Sequence, residues 1–81
     1  MRVILSPRAF EATKRAPADV RKAFYKQIDL LSENLRHLSL RAKKFDEKAN
    51  LWQARVNLDW RFYFVIAEDG YLVTNVIPHP K

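Results

Sequence analysis

Hydrophobic and polar residues follow two different periods along this chain, and the change falls near residue 50. In the first half Val20, Phe24, Ile28, Leu31 and Leu35 recur at spacings of three and four, which predicts a helix with one buried stripe. Before it, "RVILS" is a short β-branched run ending at Ser6 and Pro7. Serine caps a helix well and proline suits its first position, so a helix is expected from about Pro7 to Lys14 or Arg15. It should stop before Ala16-Pro17, because a residue preceding proline is disfavoured in helix. Pro17 and Asp19 open the second helix, with the Asp19 carboxylate near its positive end. Residues 36–50, "RHLSLRAKKFDEKAN", keep no period and are long for a loop in a compact domain, a length more often associated with function.

From Leu51 the period is two. "LWQARVNLDWRFYFV" reads as a hairpin turning at Asn57-Leu58-Asp59, and Glu68-Asp69-Gly70, with the only glycine, marks a second turn. The predicted order is β-α-α-β-β-β. That is an α+β fold, a helical hairpin packed on one face of a mostly antiparallel four-stranded sheet, forming one domain over residues 1–81.

Alternate strand residues face opposite sides of a sheet. The even positions, Trp52, Ala54, Val56, Phe62, Phe64, Ile66, Leu72, Thr74 and Val76, form a largely apolar face that should cover the helices. The odd positions carry Gln53, Arg55, Asn57, Arg61, Tyr63, Val65, Tyr71, Val73 and Asn75. Arginines, amides and rings on one exposed face suit RNA, whose phosphates pair with arginine and whose bases stack on rings. The same arginines could equally serve only to solubilise an exposed sheet.

Composition narrows the classes. Fifteen Lys and Arg against nine Asp and Glu give a net charge of +6, which makes a polyanion the first partner to consider, nucleic acid ahead of membrane. Cysteine is absent, excluding disulfides and thiolate metal sites and fitting a reducing cytoplasm. The apolar run before Ser6 is too short for a signal peptide, and no run approaches the roughly 18 residues of a membrane span. A soluble, cytoplasmic, unexported protein is expected. Two distant histidines without a carboxylate at ligand spacing give no metal site, and a single glycine cannot build a phosphate-cradling loop, so no cofactor is expected.

The element order, the length and above all "LWQARVNLDWRFYFVIAEDGYLVTNVIPHPK" resemble the RelE/ParE superfamily of bacterial and archaeal toxins, especially the RelE and YoeB type of messenger-RNA interferase. The resemblance spans essentially the whole chain and implies a toxin of a type II toxin-antitoxin system. Such a toxin cuts mRNA in the ribosomal A site and is neutralised by a cognate antitoxin protein. The same fold also houses ParE-like inhibitors of DNA gyrase, and a non-toxic remnant of the fold is a third possibility.

Carried over by position, Arg61 matches the family arginine that neutralises the scissile phosphate, and Arg55 matches a basic residue on the preceding strand. Gln53 stands where RelE has a lysine. His79 matches the C-terminal histidine that acts as general acid in YoeB-like members. Pro80 replaces a functional tyrosine of those enzymes, and no glutamate matches their general base before Trp52.

In these enzymes the substrate's own 2′-OH attacks the adjacent phosphate, which requires a proton acceptor, a donor to the leaving 5′ oxygen, and cations to stabilise the transition state. His79, whose residue type titrates near neutrality, suits the donor, and Pro78 and Pro80 restrict the backbone around it. A frayed terminal histidine without a role is the bland alternative. The base is open among Glu47, Asp46 and a lysine. Lys43 and Lys44 form either a solvated charge run or a phosphate clamp, and Tyr63 either stacks a base or packs. Trp52 and Trp60 read as packing residues, and His37 as surface.

Overall fold

Ser6 starts the first helix as its type suggests: the Ala9 N–H donates to Ser6 Oγ at 3.1 Å, and Pro7 occupies the first turn. The computed structural model describes residues 1–79. In order it comprises β1 (Arg2–Leu5), α1 (Pro7–Arg15), α2 (Ala18–Glu33), a single helical turn at Leu38–Leu40, β2 (Lys43–Asp46), β3 (Leu51–Arg55), β4 (Trp60–Ala67) and β5 (Gly70–Pro78). The strands form one sheet in the order β1-β5-β4-β3-β2, parallel only between β1 and β5.

The sheet has five strands where the sequence predicts four. The additional strand, β2, lies in the segment read as loop. All four of its residues are exposed, so it has no alternating apolar signal. Its pairing rests on backbone bonds and on the turn that follows, where Asp46 Oδ1 accepts from the Lys48 and Ala49 N–H groups and Asn50 adopts a left-handed φ of 53°.

The helix stripe and the even strand face meet as expected. Phe24 of α2 packs edge-on against Phe62 with ring centroids 5.4 Å apart, and Phe24, Leu31, Phe62 and Phe64 are fully or almost fully buried in one cluster. One part of the alternation needs correction. Tyr63 pairs with Asn75 but Phe64 pairs with Val73, so Thr74 is an extra residue in β5. A bulge of this kind reverses the facing of everything before it. Tyr71 and Val73 therefore point into the core, and Leu72 and Thr74 do not; Val76, beyond the bulge, follows the original parity.

Gly70 is also placed for a different reason than a turn. No glycine here has positive φ; the Arg2 carbonyl of β1 occupies the space that a Cβ on Gly70 would need. The only glycine thus permits the close parallel pairing of β1 with β5. Among the described residues no helix is long and apolar enough to cross a membrane.

Phe64 has no exposed surface and touches rings on both sides, Phe62 and Tyr71. Phe64→Ala should lower the unfolding free energy by about 3–5 kcal/mol. Urea denaturation checks this, and a loss below about 0.5 kcal/mol, the scale of surface substitutions, would refute its place in the core.

Candidate phosphate-binding and catalytic site

The face opposite the helices is organised in rungs that run across the strands. Backbone register places Lys43, Gln53, Tyr63 and Asn75 side by side on β2, β3, β4 and β5. The neighbouring rung is Arg55, Arg61 and Ile77. Opposed residues share a face, so both arginines and Lys43 stand on the same side of the sheet. Lys44 belongs to the other side: it pairs with Trp52, its Nζ sits 5.4 Å from the indole centroid and donates to Asn50 Oδ1 at 2.7 Å.

Arg55 and Arg61 are direct cross-strand partners. Like charges in that position oppose pairing, by on the order of 0.2–1 kcal/mol. Burial, and then the Arg55 charge, push the Arg61 guanidinium below its ordinary pKa, while Tyr63 and Asp59 pull it up. It remains charged at any pH a folded protein tolerates. The two cations are held together by the rest of the fold, and an anion between them would relieve the repulsion.

The β3–β4 turn fixes one of the pair. Asn57 Oδ1 accepts from the Asp59 and Trp60 N–H groups, both at 2.9 Å. Arg61 Nη1 donates to the turn carbonyls of Asn57 (2.8 Å), Leu58 (3.2 Å) and Trp60 (2.9 Å). Its Nε and Nη2 have no acceptor among the described residues. The same turn holds the end of β5, because the His79 N–H donates to the Asp59 carbonyl at 2.7 Å.

These constraints bring Arg61 and His79 to one open cavity of about 320 Å³, together with Arg55, Gln53, Lys43 and Arg41. Arg41 has no counterpart among the sequence candidates. It follows the Leu38–Leu40 turn in a left-handed conformation, φ 45°, and its N–H donates to the Leu38 carbonyl. Buried Gln27 sets that turn in place: its Nε2 donates to the Ser39 carbonyl (3.2 Å) and to the Arg55 carbonyl (2.8 Å). A signal for Gln27 existed in the sequence, since it is a polar residue on the apolar stripe of α2. Arg41, in an aperiodic loop, had none.

Gln53 and Tyr63 are nearly buried, and Gln53 Nε2 donates to Tyr63 Oη at 3.0 Å. Phe45 covers Tyr63 edge-on at 5.1 Å. Neither Asp46 nor Glu47 lines the cavity: Asp46 caps the β2–β3 turn and Glu47 lies within that turn. His37 caps the Leu38–Leu40 turn, its Nδ1 accepting from the Ser39 N–H. Pro80 lies outside the described residues. Among the described residues the lining therefore presents three arginines, one lysine, one imidazole and one amide, and no carboxylate. Such a donor set suits an oxyanion such as phosphate and not a metal ion.

No family model matches the chain, and no curated protein matches its sequence. Solved structures match its fold. The YoeB/ParE toxin from Agrobacterium tumefaciens superposes with a TM-score of 0.80 over 99% of this chain and 100% of its own, at 13% identity. The RelB-RelE antitoxin-toxin complex from Methanococcus jannaschii matches with a TM-score of 0.77 at 19% identity, covering 93% of this chain and 88% of the matched one. YafQ from E. coli strain BL21(DE3) matches at 0.74 and 14% identity, covering 96% of this chain and 92% of its own. The chain has the fold of the RelE/YoeB toxin superfamily.

Two outcomes follow from the geometry. Asn57→Ala should destabilise the protein by about 1–2 kcal/mol, whereas Asn57→Asp, which keeps the accepting oxygen, should retain most of the stability. Equal urea midpoints for the Ala variant and the parent would show that the turn does not depend on Asn57. Inorganic phosphate at about ten times its Kd should add about 1.4 kcal/mol of stability, beyond chloride at matched ionic strength. Arg55→Gln should remove that increment, and no difference between the two salts in thermal unfolding would refute an anion site.

Proposed function

We propose, proceeding from the fold shared with the RelE and YoeB toxins, that this chain is the toxin of a toxin-antitoxin pair and acts as an mRNA endonuclease on the ribosome. The observation that carries the reading is the gathering of Arg61, Arg55, Arg41, Lys43 and His79 around one cavity. A ParE-like inhibitor of gyrase would need no imidazole beside clustered arginines. That the RelE match is an antitoxin-toxin complex supports an antitoxin as the protein partner.

In the proposed reaction the scissile phosphate lies between Arg55 and Arg61. The neighbouring 2′-oxygen attacks phosphorus, the bond to the 5′ oxygen breaks, and a 2′,3′-cyclic phosphate is left. The free nitrogens of the Arg61 fork, with Arg55, hold the charge that builds on the phosphoryl oxygens, a role suited to fixed cations in a partly desolvated site. His79 gives its proton to the leaving 5′ oxygen. The 2′-OH proton passes to Lys43 in its uncharged form; Lys43 lines the cavity, whereas Asp46 and Glu47 do not. The nucleophile belongs to the substrate, so the step requires no metal-bound water.

Induced expression should stop translation and leave messages with new 5′-hydroxyl ends, mapped by primer extension. His79→Ala should reduce cleavage by about a hundred- to ten-thousandfold, and Arg61→Ala by about a hundredfold or more. Arg61 also ties the turn, so the folded fraction of its variant must be measured by circular dichroism, and Arg61→Lys serves as a second test. Lysine keeps the charge without the fork and should also cleave poorly. Folded variants that cut at the parental rate would refute the assignments. Continued translation with DNA breaks would indicate a gyrase inhibitor, and neither effect would indicate an inactive relative.

A further inference from the structure

A second cavity, of about 470 Å³, opens between α2 and the Leu38–Leu40 turn. Arg41 and Arg55 line both this cavity and the one that holds Arg61 and His79. They form the wall between the two, so an anion on either side meets the same pair of guanidinium groups. Lys26, exposed on α2, and Leu38, 89% exposed, also line the second cavity.

Two features indicate that the wall is built to receive a ligand. Arg55 Nε is buried and has no hydrogen-bond partner among the described residues, which is costly for a charged group unless something supplies an acceptor. Beside it, exposed Arg41 is held in place by a backbone in the left-handed region, φ 45°. Gln27, bonded to both the Ser39 and Arg55 carbonyls, fixes the two walls relative to each other, so the cavity exists before any ligand arrives.

We propose that this second cavity binds the phosphate adjacent to the scissile one, so that a single-stranded RNA runs from His79 across Arg55 and Arg41 to Lys26. The inference rests on the RNA reading of the first cavity and extends it by one nucleotide. Arg41 and Arg55 bridge the two phosphates, Lys26 neutralises the outer one, and Leu38 gives the intervening nucleoside an apolar contact. Phosphate contacts of this kind set the register of the strand without reading its sequence.

The test is an NMR titration with 2′-O-methylated oligonucleotides, which lack the attacking hydroxyl: a dinucleotide with one phosphate and a trinucleotide with two. The trinucleotide should bind the parent about tenfold more tightly, the scale of one charge-assisted contact, and should shift the Lys26 and Arg41 amide resonances. Lys26→Ala, a helix-compatible change at an exposed position, should reduce that gain to less than about threefold and lower the salt dependence of log K by about 0.7. Lys22→Ala, elsewhere on α2 and outside the cavity, should leave both unchanged. A gain that is absent in the parent, or equal in Lys26→Ala, would overturn the second subsite while leaving the first intact. Failure of the dinucleotide to perturb Arg55 and Arg61 would remove the RNA reading and this inference with it. Shifts at Lys26 caused by an acidic peptide but not by the trinucleotide would assign the cavity to a protein partner and overturn the proposal.

Discussion

The site depends on one turn. Residues 56–59 join β3 to β4, and the Asn57 side chain closes them by accepting two backbone N–H groups. The carbonyls of that turn then hold Arg61, and its Asp59 carbonyl holds His79. Arg61 lies on β4 and His79 just beyond β5, yet the Arg61 side chain and the His79 backbone are tied to the same few peptide groups. Positioning of this kind lowers the reorganisation needed when charge develops in a transition state. It also counters the tendency of Arg61 to swing away from Arg55.

The strands that carry the site are the strands that carry the core. Phe62 and Phe64 are buried against α2 and Tyr71, while Arg61 and Tyr63, one residue away from each, project from the opposite face. Core packing therefore fixes the height and direction of the candidate site's side chains from the opposite face of the sheet. The opposed arginines cost the fold a fraction of a kcal/mol to about one, small beside the roughly 1.5–3 kcal/mol gained by fully burying each large apolar side chain. A small domain can keep such a local conflict because the core behind it is aromatic and continuous.

Helices, hairpins and the shared face of Arg55 and Arg61 were legible because each leaves a local pattern: a serine-proline cap, a three-four stripe, an alternation and a turn. Three features were not. β2 has no buried residue, so its strand character comes from backbone pairing and the Asp46 turn, neither of which imposes a hydrophobic period. The bulge at Thr74 is a property of two strands at once, and alternation read along one strand cannot reveal it. Arg41 reaches the cavity only because Gln27 pulls a distant turn against the end of β3. Sequence parity places Arg61 correctly; only the tertiary fold distinguishes Lys43, on the cavity side, from its neighbour Lys44 over Trp52.

A lining made of cations, one imidazole and one amide has consequences for selectivity under the proposed function. Cations grip phosphates, which every nucleotide carries alike, and so supply affinity and register but little sequence choice. Base recognition would need edges and acceptors, yet the amide of Gln53 is already bonded to Tyr63, and that ring is covered by Phe45. Under the proposed function the chain would offer charge stabilisation and a proton donor, and would leave the choice of where to cut to whatever presents the RNA. A surface that holds the message with its 2′-OH in line would complete the active geometry, which is the part a ribosome could contribute. Under the proposed function, dependence on such a platform would follow from the lining of the cavity, which can hold phosphates but does not distinguish one from the next.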